Sequence, residues 1–476
     1  MNARMETARK ELAFGGRLLM LGFGSIGQGT LPLLLRHIDL QPHQITVIKP
    51  HATGLQAAHE HGVRCIEQAI TRDNYRQILT PHLGRGDLLL NLSVDVSSTA
   101  LIALCRELGA LYLDTCIEPW QGTYTDASLP PERRTNYALR EEALALRDGS
   151  REQPTALVTH GANPGLVSYF VKQALLDIAR DTGAPCDPPD SRAGWAALAQ
   201  RLGVRVIHIA ERDTQVGRER KRPGEFVNTW SVDGFVDEGL QPAELGWGTH
   251  ERHWPADAAR HGFGSDAAIY LRRPGVGPRV RSWTPLDGPY HGFLVTHAES
   301  ISIADHLTLR ENGAVVYRPT VHYAYHPCDD AVLSLHEMAG KNWQRQPRHR
   351  IVREDIVQGM DELGVLLMGN DKGVYWYGSR LTIEQARKLA PFNSATSLQV
   401  VAGILGGMAW ALQNPDAGVV EPDDLDHRVV LEAALPWLGE VAGVYGAWTP
   451  LTDRSPLFDE ATDADDPWQF LNFRVG

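Results

Sequence analysis

Cysteine is scarce in this chain of 476 residues, and the few cysteines are scattered and odd in number, which favours a reduced, cytoplasmic protein. They are Cys65, Cys105, Cys116, Cys186 and Cys328. The sequence also has no uninterrupted apolar run long enough to span a bilayer, and the charged residues 1–10 lack the apolar core of a signal peptide. We therefore expect a cytoplasmic protein without a membrane partner.

The chain has fewer basic than acidic residues: 46 Lys and Arg compared with 58 Asp and Glu, which gives a formal net charge of −12. This balance argues against a nucleic-acid partner and permits a cationic one. Much of the acidic excess lies in residues 421–426 and 459–466, which are typical of solvated loops rather than of a binding surface.

A glycine-rich turn follows directly on the apolar strand predicted at residues 18–21. In the run Gly22-Phe23-Gly24-Ser25-Ile26-Gly27, the first glycine allows a sharp turn and the second lets the backbone approach a pyrophosphate. The third glycine lets helix and strand pack closely, and a second apolar strand at 45–48 completes a βαβ unit. The pattern predicts a dinucleotide site in which the cofactor contacts Gly22, Gly24, Ser25, Ile26 and Gly27.

One expected side chain is missing from this site. An NAD site usually has Asp or Glu at the end of the second strand, where the carboxylate holds the ribose hydroxyls. This chain has Lys49-Pro50-His51 there. Lys49 is either a partner for the extra phosphate of NADP or a solvated strand end, with the ribose held by other groups. The sequence leaves both interpretations open.

Further apolar strands at 87–92, 110–113 and 156–159, with a helix at 98–108 between them, continue the alternation. They predict a doubly wound, Rossmann-type parallel sheet of the α/β class. From residue 204 to 325 the pattern changes to strands separated by Gly- and Pro-rich turns, which predicts a second, α+β domain on an antiparallel or mixed sheet. Its predicted strands are 204–209, 227–236, 292–296, 300–309 and 320–325.

Near the end of the chain, Asn393-Ser394-Ala395-Thr396 is typical of a helix cap ahead of an apolar helix over 398–412. We expect this helix to return to the nucleotide domain. The predicted organisation is a nucleotide-binding domain at 1–160, a substrate and dimerisation domain at 161–390, and a C-terminal helical segment at 391–476.

Residues that follow the strands of a doubly wound sheet point toward the ligand. Ser93 and Asp95 follow the fourth strand, and Asp114, Thr115 and Glu118 follow the fifth. Glu118 also has an ordinary alternative, because a carboxylate in a polar loop is usually solvated. We predict cofactor contacts from Ser93, Asp95, Asp114 and Thr115, together with Asn163 and Asn393.

Asn163 follows the sixth strand, in the run His160-Gly161-Ala162-Asn163-Pro164-Gly165. Its amide could hydrogen-bond a reacting group near the nicotinamide. The alternative is a helix N-cap, which a place directly before Pro164 fits well.

Acidic residues and a tryptophan occur together in the second domain. A strand over 206–210 ends in Glu211, and a later predicted strand carries Trp230 and is followed by Glu238. Carboxylates bind an alkylammonium, and an indole face adds cation–π attraction of about 0.5–2 kcal/mol. Taken alone, such residues are more often a packed tryptophan and surface acids. His297 and Glu299, two apart on a predicted strand, point to one face and form a base beside a carboxylate.

His322 and His326 stand at even spacing on a predicted strand, which raises the question of a metal site. Strand spacing separates the two imidazoles, and no second pair has the spacing of zinc ligands. We expect no bound metal.

The glycine turn, the Asn163 segment and the Asn228-Thr229-Trp230-Ser231-Val232-Asp233-Gly234 run together resemble the bacterial homospermidine synthases, a family within the saccharopine dehydrogenase-like superfamily. The resemblance covers nearly the whole chain. The first two motifs are shared widely among these dehydrogenases, whereas Trp230 with Glu211 and Glu238 is more specific. The resemblance implies bound NAD, putrescine or a related diamine or polyamine as substrate, and a homodimer.

The implied reaction has no net redox change. NAD takes a hydride from the carbon bearing a putrescine amine, ammonia leaves the resulting imine, a second putrescine forms a new imine, and NADH reduces it. For this reaction we assign binding of the substrate cation to Trp230 and Glu238, charge stabilisation and amine binding to Glu211 and Glu118, and orientation of the reacting amine to Asn163. We assign proton transfer to His297 with Glu299.

Two other functions remain open at the level of sequence. One is an NAD(P)-dependent reductase that forms a secondary amine, like saccharopine or carboxyspermidine dehydrogenase, and consumes its cofactor. The other is a regulator that binds dinucleotide and has no catalytic activity.

Overall fold

A parallel sheet organises the first part of the computed structural model, which describes residues 12–475 except 148, 150–152, 186, 392, 455, 456, 458 and 459. The strand Leu18–Leu21 lies between Leu88–Asn91 and Ile45–Lys49, so the strand order reverses beside it. In open α/β sheets, ligands bind at such a switch point. In spatial order the strands are Ala417–Val420, Gln153–Leu157, Leu111–Asp114, Leu88–Asn91, Leu18–Leu21, Ile45–Lys49 and Arg64–Glu67.

The central strands of this sheet are buried along their whole length, as expected for near-continuous apolar runs covered by helices on both faces. The helix Ser98–Leu108 shows how local sequence sets the boundaries: the Ala100 N–H donates to Ser97 Oγ at 3.3 Å, and the helix ends at Gly109, whose φ is +72°. The doubly wound fold is confirmed. Its other helices are Ser25–His37, Gln56–Glu60, Tyr75–Leu79 and Asn136–Leu144.

A large mixed sheet forms the second part of the protein and confirms the predicted α+β character. Thr320–His326 and Val206–Asp213 pair in parallel, and their neighbours pair antiparallel. The main path runs through Ala258–Arg260, Ala268–Pro274, Pro242–Gly246, Thr320–His326, Val206–Asp213, Met360–Asn370, Gly373–Thr382 and Glu440–Gly446, with Arg279–Thr284, Gly288–Phe293 and Arg474–Val475 off this path.

Two-stranded ladders and further helices complete the fold. The ladders pair Leu12–Ala13 with Ile38–Asp39, Val216–Gly217 with Ile356–Gln358, Glu225–Asn228 with Arg348–Ile351, and Leu309–Glu311 with Ala314–Tyr317. The helices are Leu166–Thr182, Arg192–Arg201, Val232–Leu240, Ala298–His306, Asp329–Gly340, Ile383–Leu389, Ala395–Gln413, His427–Ala434 and Phe470–Phe473.

Two predicted strands of the second domain, 227–236 and 300–309, are wrong. The first ends at Asn228, and Ser231 then accepts a hydrogen bond from the Gly234 N–H at 3.1 Å and starts the helix Val232–Leu240. The second lies mostly in the helix Ala298–His306. Its alternating Ser and Ile side chains gave a strand-like pattern, but all of residues 300–303 are buried, so the alternation does not distinguish two faces.

The apolar helix Ala395–Gln413 returns to the nucleotide-binding part, as predicted. Ser394 Oγ accepts from the Ser397 N–H at 3.0 Å and caps the helix, which packs against Ser25–His37. By length and composition alone this helix could cross a membrane, with a mean hydropathy of 1.5 over its most apolar window. However, 83% of that window is buried inside the protein. The helix therefore serves as a core element here.

The segment 391–476 is not helical throughout, which corrects the sequence prediction. Ala417–Val420 adds a strand to the parallel sheet, whereas Glu440–Gly446 and Arg474–Val475 join the mixed sheet. The missed strands are short or lie at a sheet edge, where burial gives little periodicity. The domain limits at 160 and 390 stay a prediction.

Candidate active site

The glycine turn lies at the carboxyl end of Leu18–Leu21 and has the shape that a pyrophosphate requires. Gly22 has φ of +87°, and its N–H donates to Ile48 O at 2.9 Å. A Cβ on Gly27 would lie 3.0 Å from the Phe23 ring, so this glycine allows close packing. A Cβ on Gly24 would instead enter open space. No side chain among the described residues caps the helix that starts at Ser25, so its first N–H groups can bind an anion.

Two cavities adjoin this turn. The outer cleft, of about 630 Å³, is lined by the ends of the parallel strands and includes Lys49, His51, Asp95 and Trp120. The inner cavity, of about 140 Å³, shares Ser93 and Val94 with the outer cleft. A dinucleotide laid across the glycine turn would reach from the outer cleft toward the inner cavity, so the lining residues fit the predicted cofactor.

The inner cavity lies between the two sheets and brings together most of the predicted site residues. The nucleotide-binding part contributes Ile26, Ser93, Thr115 and Glu118, and residues beyond the predicted limit at 160 contribute Asn163, Glu211, Trp230, Glu238 and His297.

Asn163 lines the inner cavity and bonds to two residues of the mixed sheet. Its amide nitrogen donates to Glu211 Oε2 at 2.6 Å and to Tyr323 Oη at 2.7 Å, and the Tyr323 hydroxyl donates to the same Glu211 oxygen. The alternative of a helix N-cap is wrong, because Gly165 precedes the helix Leu166–Thr182. Burial raises the pKa of Glu211 to about 7, although the hydrogen bonds from Tyr323 and Asn163 act in the opposite direction.

His297 lies between two carboxylates. Its Nε2 is 3.2 Å from Glu238 Oε2, and its Nδ1 is 3.1 Å from Glu299 Oε1. Burial lowers the pKa of His297, but Glu299 and Glu238 outweigh this effect and raise the pKa well above its usual range. The predicted strand for these two residues is wrong. His297 precedes the helix Ala298–His306, and Glu299 is in its first turn.

Trp230 lies in a loop between a strand and a helix, not on a strand. Its Nε1 donates to Tyr325 Oη at 3.0 Å, and its ring packs against Phe235 with centroids 5.3 Å apart. The side chain is only partly buried and lines the inner cavity. A bound molecule can therefore contact the indole ring.

Glu118 is buried on the opposite side of the cavity, which excludes the solvated alternative. The Tyr124 hydroxyl donates to Glu118 Oε2 at 3.3 Å. Burial, followed by the nearby carboxylate of Asp237, raises the pKa of Glu118 well above its usual range. Burial and then Asp95 raise the pKa of Asp237 to about 7. This side of the site therefore brings Glu118, Asp237 and Asp95 close together, and no Lys or Arg is among the described residues that line the inner cavity.

Two residues predicted to contact the cofactor lie elsewhere. Asp114 is fully buried in the sheet, where it accepts from the Thr159 N–H at 2.6 Å and from the Tyr112 hydroxyl at 2.7 Å. It holds the strand ends together and does not line either cavity. Asn393 is buried against Gly29 of the nucleotide helix, where the missing side chain leaves it room.

Tyr323 is the main site residue that the sequence interpretation missed, together with Cys116, Thr396 and Val400. Strand alternation could have found Tyr323, because its neighbour His322 must point to the opposite face. There His322 packs against His208, with ring centroids 4.0 Å apart.

Family models match both parts of the chain. The saccharopine dehydrogenase NADP binding domain matches residues 18–157, and the saccharopine dehydrogenase C-terminal domain matches residues 161–446. The chain also has the fold of the L-Glu-forming saccharopine dehydrogenase from Saccharomyces cerevisiae, with a TM-score of 0.51, 11% identity, and coverage of 90% of this chain and 100% of that one. At this identity the likeness concerns the fold alone.

Several proteins that are much more similar in sequence to this chain are homospermidine synthases. The homospermidine synthase of Blastochloris viridis is 56% identical over 97% of both chains, and that of Mesorhizobium japonicum is 51% identical over 97% of this chain and 96% of its own. The crystal structure of the homospermidine synthase from Legionella pneumophila in complex with NAD superposes with a TM-score of 0.92 at 51% identity, covering 98% of this chain and 99% of that one. The chain belongs to the homospermidine synthase family, within the saccharopine dehydrogenase-like superfamily.

Proposed function

We propose that this protein is an NAD-dependent homospermidine synthase that joins two putrescine molecules into homospermidine and releases ammonia, without net redox change. The lining of the inner cavity is the observation that supports a diamine substrate. Glu118, Glu211 and Glu238 line it with Trp230, and no Lys or Arg is among its described lining residues. NAD, when bound, supplies the acceptor and the donor of the hydride.

The charge of the cavity fits a diamine. Alkylamines like that of lysine have a pKa of about 10.4, so putrescine is a dication at neutral pH. Burial and mutual repulsion raise the pKa values of Glu118 and Asp237, and an ammonium between such acids removes part of that repulsion. Trp230 offers a π face for a second contact with the cation.

Glu211 and His297 have opposite properties for proton transfer. Glu211, whose pKa is about 7, can take a proton from a substrate ammonium near neutral pH, while Asn163 holds the carboxylate in place. His297 stays protonated between Glu238 and Glu299, so it can donate a proton to a leaving amine. The pair thus provides a base and an acid in one cavity.

A product assay with a catalytic amount of NAD tests the function. We expect ammonia and homospermidine to form in equal amounts over many turnovers per NAD, because the hydride removed in the first half of the reaction is returned in the second. The absorbance of reduced nicotinamide should not rise steadily. Stoichiometric accumulation of NADH, or consumption of NADH or NADPH with product, would instead identify a reductase. A regulator would bind nucleotide and yield no product.

The affinity for putrescine should increase with pH through neutrality. Below pH 7, Glu211 binds a proton and holds an ammonium weakly, and above pH 7 it is a carboxylate. Titration of putrescine into the cofactor-free protein should show Kd falling several-fold between about pH 6 and pH 8, where the amines remain protonated. Glu211→Gln should flatten this dependence, because Gln does not titrate. An unchanged slope in that variant would exclude Glu211 as the titrating group.

The proposal includes a homodimer in the cytoplasm. The homodimer rests on the resemblance to the family. The reducing compartment is supported by the thiols of Cys65, Cys105, Cys116 and Cys328, which are unpaired in the described part of the chain.

A further inference from the structure

Lys49 stands where a dinucleotide site usually has an acid, and its two interpretations make different structural demands. A partner for the extra phosphate of NADP must keep its ammonium free to meet that phosphate. A solvated strand end must leave the ammonium in water. The contacts of Lys49 fit neither demand.

The ammonium of Lys49 turns back onto the protein. Nζ donates to Phe23 O at 3.3 Å, inside the glycine turn, and also to Thr53 O in the loop that follows the strand. The side chain is half-buried, and burial lowers its pKa. Two of the three N–H donors of the ammonium are therefore used by backbone carbonyls.

The same carbonyl of Phe23 has a second donor, Gln28 Nε2, at 3.4 Å. Gln28 is held in turn by Arg353 Nη1, which donates to Gln28 Oε1 at 3.3 Å from the substrate-binding part of the chain. The space is tight, since a Cβ on Gly54 would lie 2.5 Å from Gln28 Nε2. The turn is thus fixed from the strand end, from its own helix and from the second domain.

We propose that Lys49 is a positioning residue for the dinucleotide: it fixes the glycine turn by holding the Phe23 and Thr53 carbonyls, and it does not recognise a 2′-phosphate. Phe23 lies between Gly22, which sets the turn, and Gly24, which leaves room for the pyrophosphate. A shift of the Phe23 carbonyl moves the backbone of Gly24 and Ser25 at the start of the helix, where a pyrophosphate binds in such folds. This inference rests on the dinucleotide site of the proposed function.

Equilibrium binding of NAD and of NADP to cofactor-free protein tests this role. Lys49→Met keeps the length of the side chain but removes its donors. Because a hydrogen bond from a charged group is lost, the affinity for NAD should fall roughly 10- to 100-fold. The affinity for NADP should fall by the same factor, so that their ratio is unchanged. The matched control is Lys341→Met, at a lysine that is 45% exposed and pairs with Glu337, and it should leave both affinities unchanged.

Two results would overturn the proposal. A selective loss of NADP affinity in Lys49→Met would make Lys49 a phosphate partner, and no loss of either affinity would make it a solvated strand end. If Lys49→Met does not fold, Lys49→Gln replaces the ammonium with a shorter, uncharged amide, and the ratio of affinities decides in the same way. Because the readout is cofactor binding, failure to make homospermidine would refute the proposed function and leave this result intact.

Discussion

Gly24→Val should abolish NAD binding while leaving the protein folded. The backbone of Gly24 has φ of −79° and ψ of −152°, a conformation open to any residue, and a Cβ there would touch no protein atom within 4 Å. The isopropyl group would instead occupy the space that the pyrophosphate needs. Calorimetric titration of cofactor-free protein should therefore show NAD affinity at least about 100-fold weaker, a loss of roughly 2.7 kcal/mol.

The control separates a blocked site from a damaged fold. Gly340→Val places the same group at an exposed helix end where a Cβ also meets nothing, so it should change neither NAD affinity nor the melting temperature. Gly24→Val should melt within a few degrees of the wild type. Unchanged NAD affinity in this variant would mean that the pyrophosphate does not cross the turn. Gly22 and Gly27 are poorer probes, because their replacement strains the turn or collides with Phe23.

The nucleotide-binding part could be predicted from sequence because its signals are local. The turn from Gly22 to Gly27 defines its own geometry, and continuous apolar strands indicate a buried parallel sheet. The second domain gave weaker signals. Residues 300–303 are buried on every side, so their alternation suggested a strand where the chain forms the helix Ala298–His306.

The site could be predicted in composition but not in contacts. Glu211, Trp230 and Glu238 were found because acids and an aromatic ring suit a cation. The bonds among Asn163, Glu211 and Tyr323 join residues that are 48 to 160 positions apart, and only the fold brings them together. Asp114 was misassigned for a related reason. The end of a parallel strand can point a side chain at the ligand or at the next strand, and its sequence does not distinguish the two.

Trp230→Ala should lose most activity without loss of fold or of NAD binding. Its indole ring lines the cavity beside Glu238, and a desolvated ammonium on this ring is held by about 2 kcal/mol, so kcat/KM should fall at least roughly 30-fold. Trp230→Phe should be intermediate, because a weaker π face remains while the hydrogen bond to Tyr325 Oη is lost. Steady-state kinetics with putrescine measure both effects.

Thermal melts distinguish this role from simple packing. A fully buried tryptophan would cost about 3–5 kcal/mol on truncation, whereas Trp230 is a partly exposed loop residue and should cost less. Trp254→Ala is the matched control: this side chain is 46% exposed and packs on Trp247 outside the cavity, so its loss should leave kcat/KM unchanged. A Trp230→Ala protein that is stable and fully active would remove the cation–π role. A badly destabilised one would assign Trp230 to packing, because its loss of activity would then follow from the loss of the fold that places Glu238 beside His297.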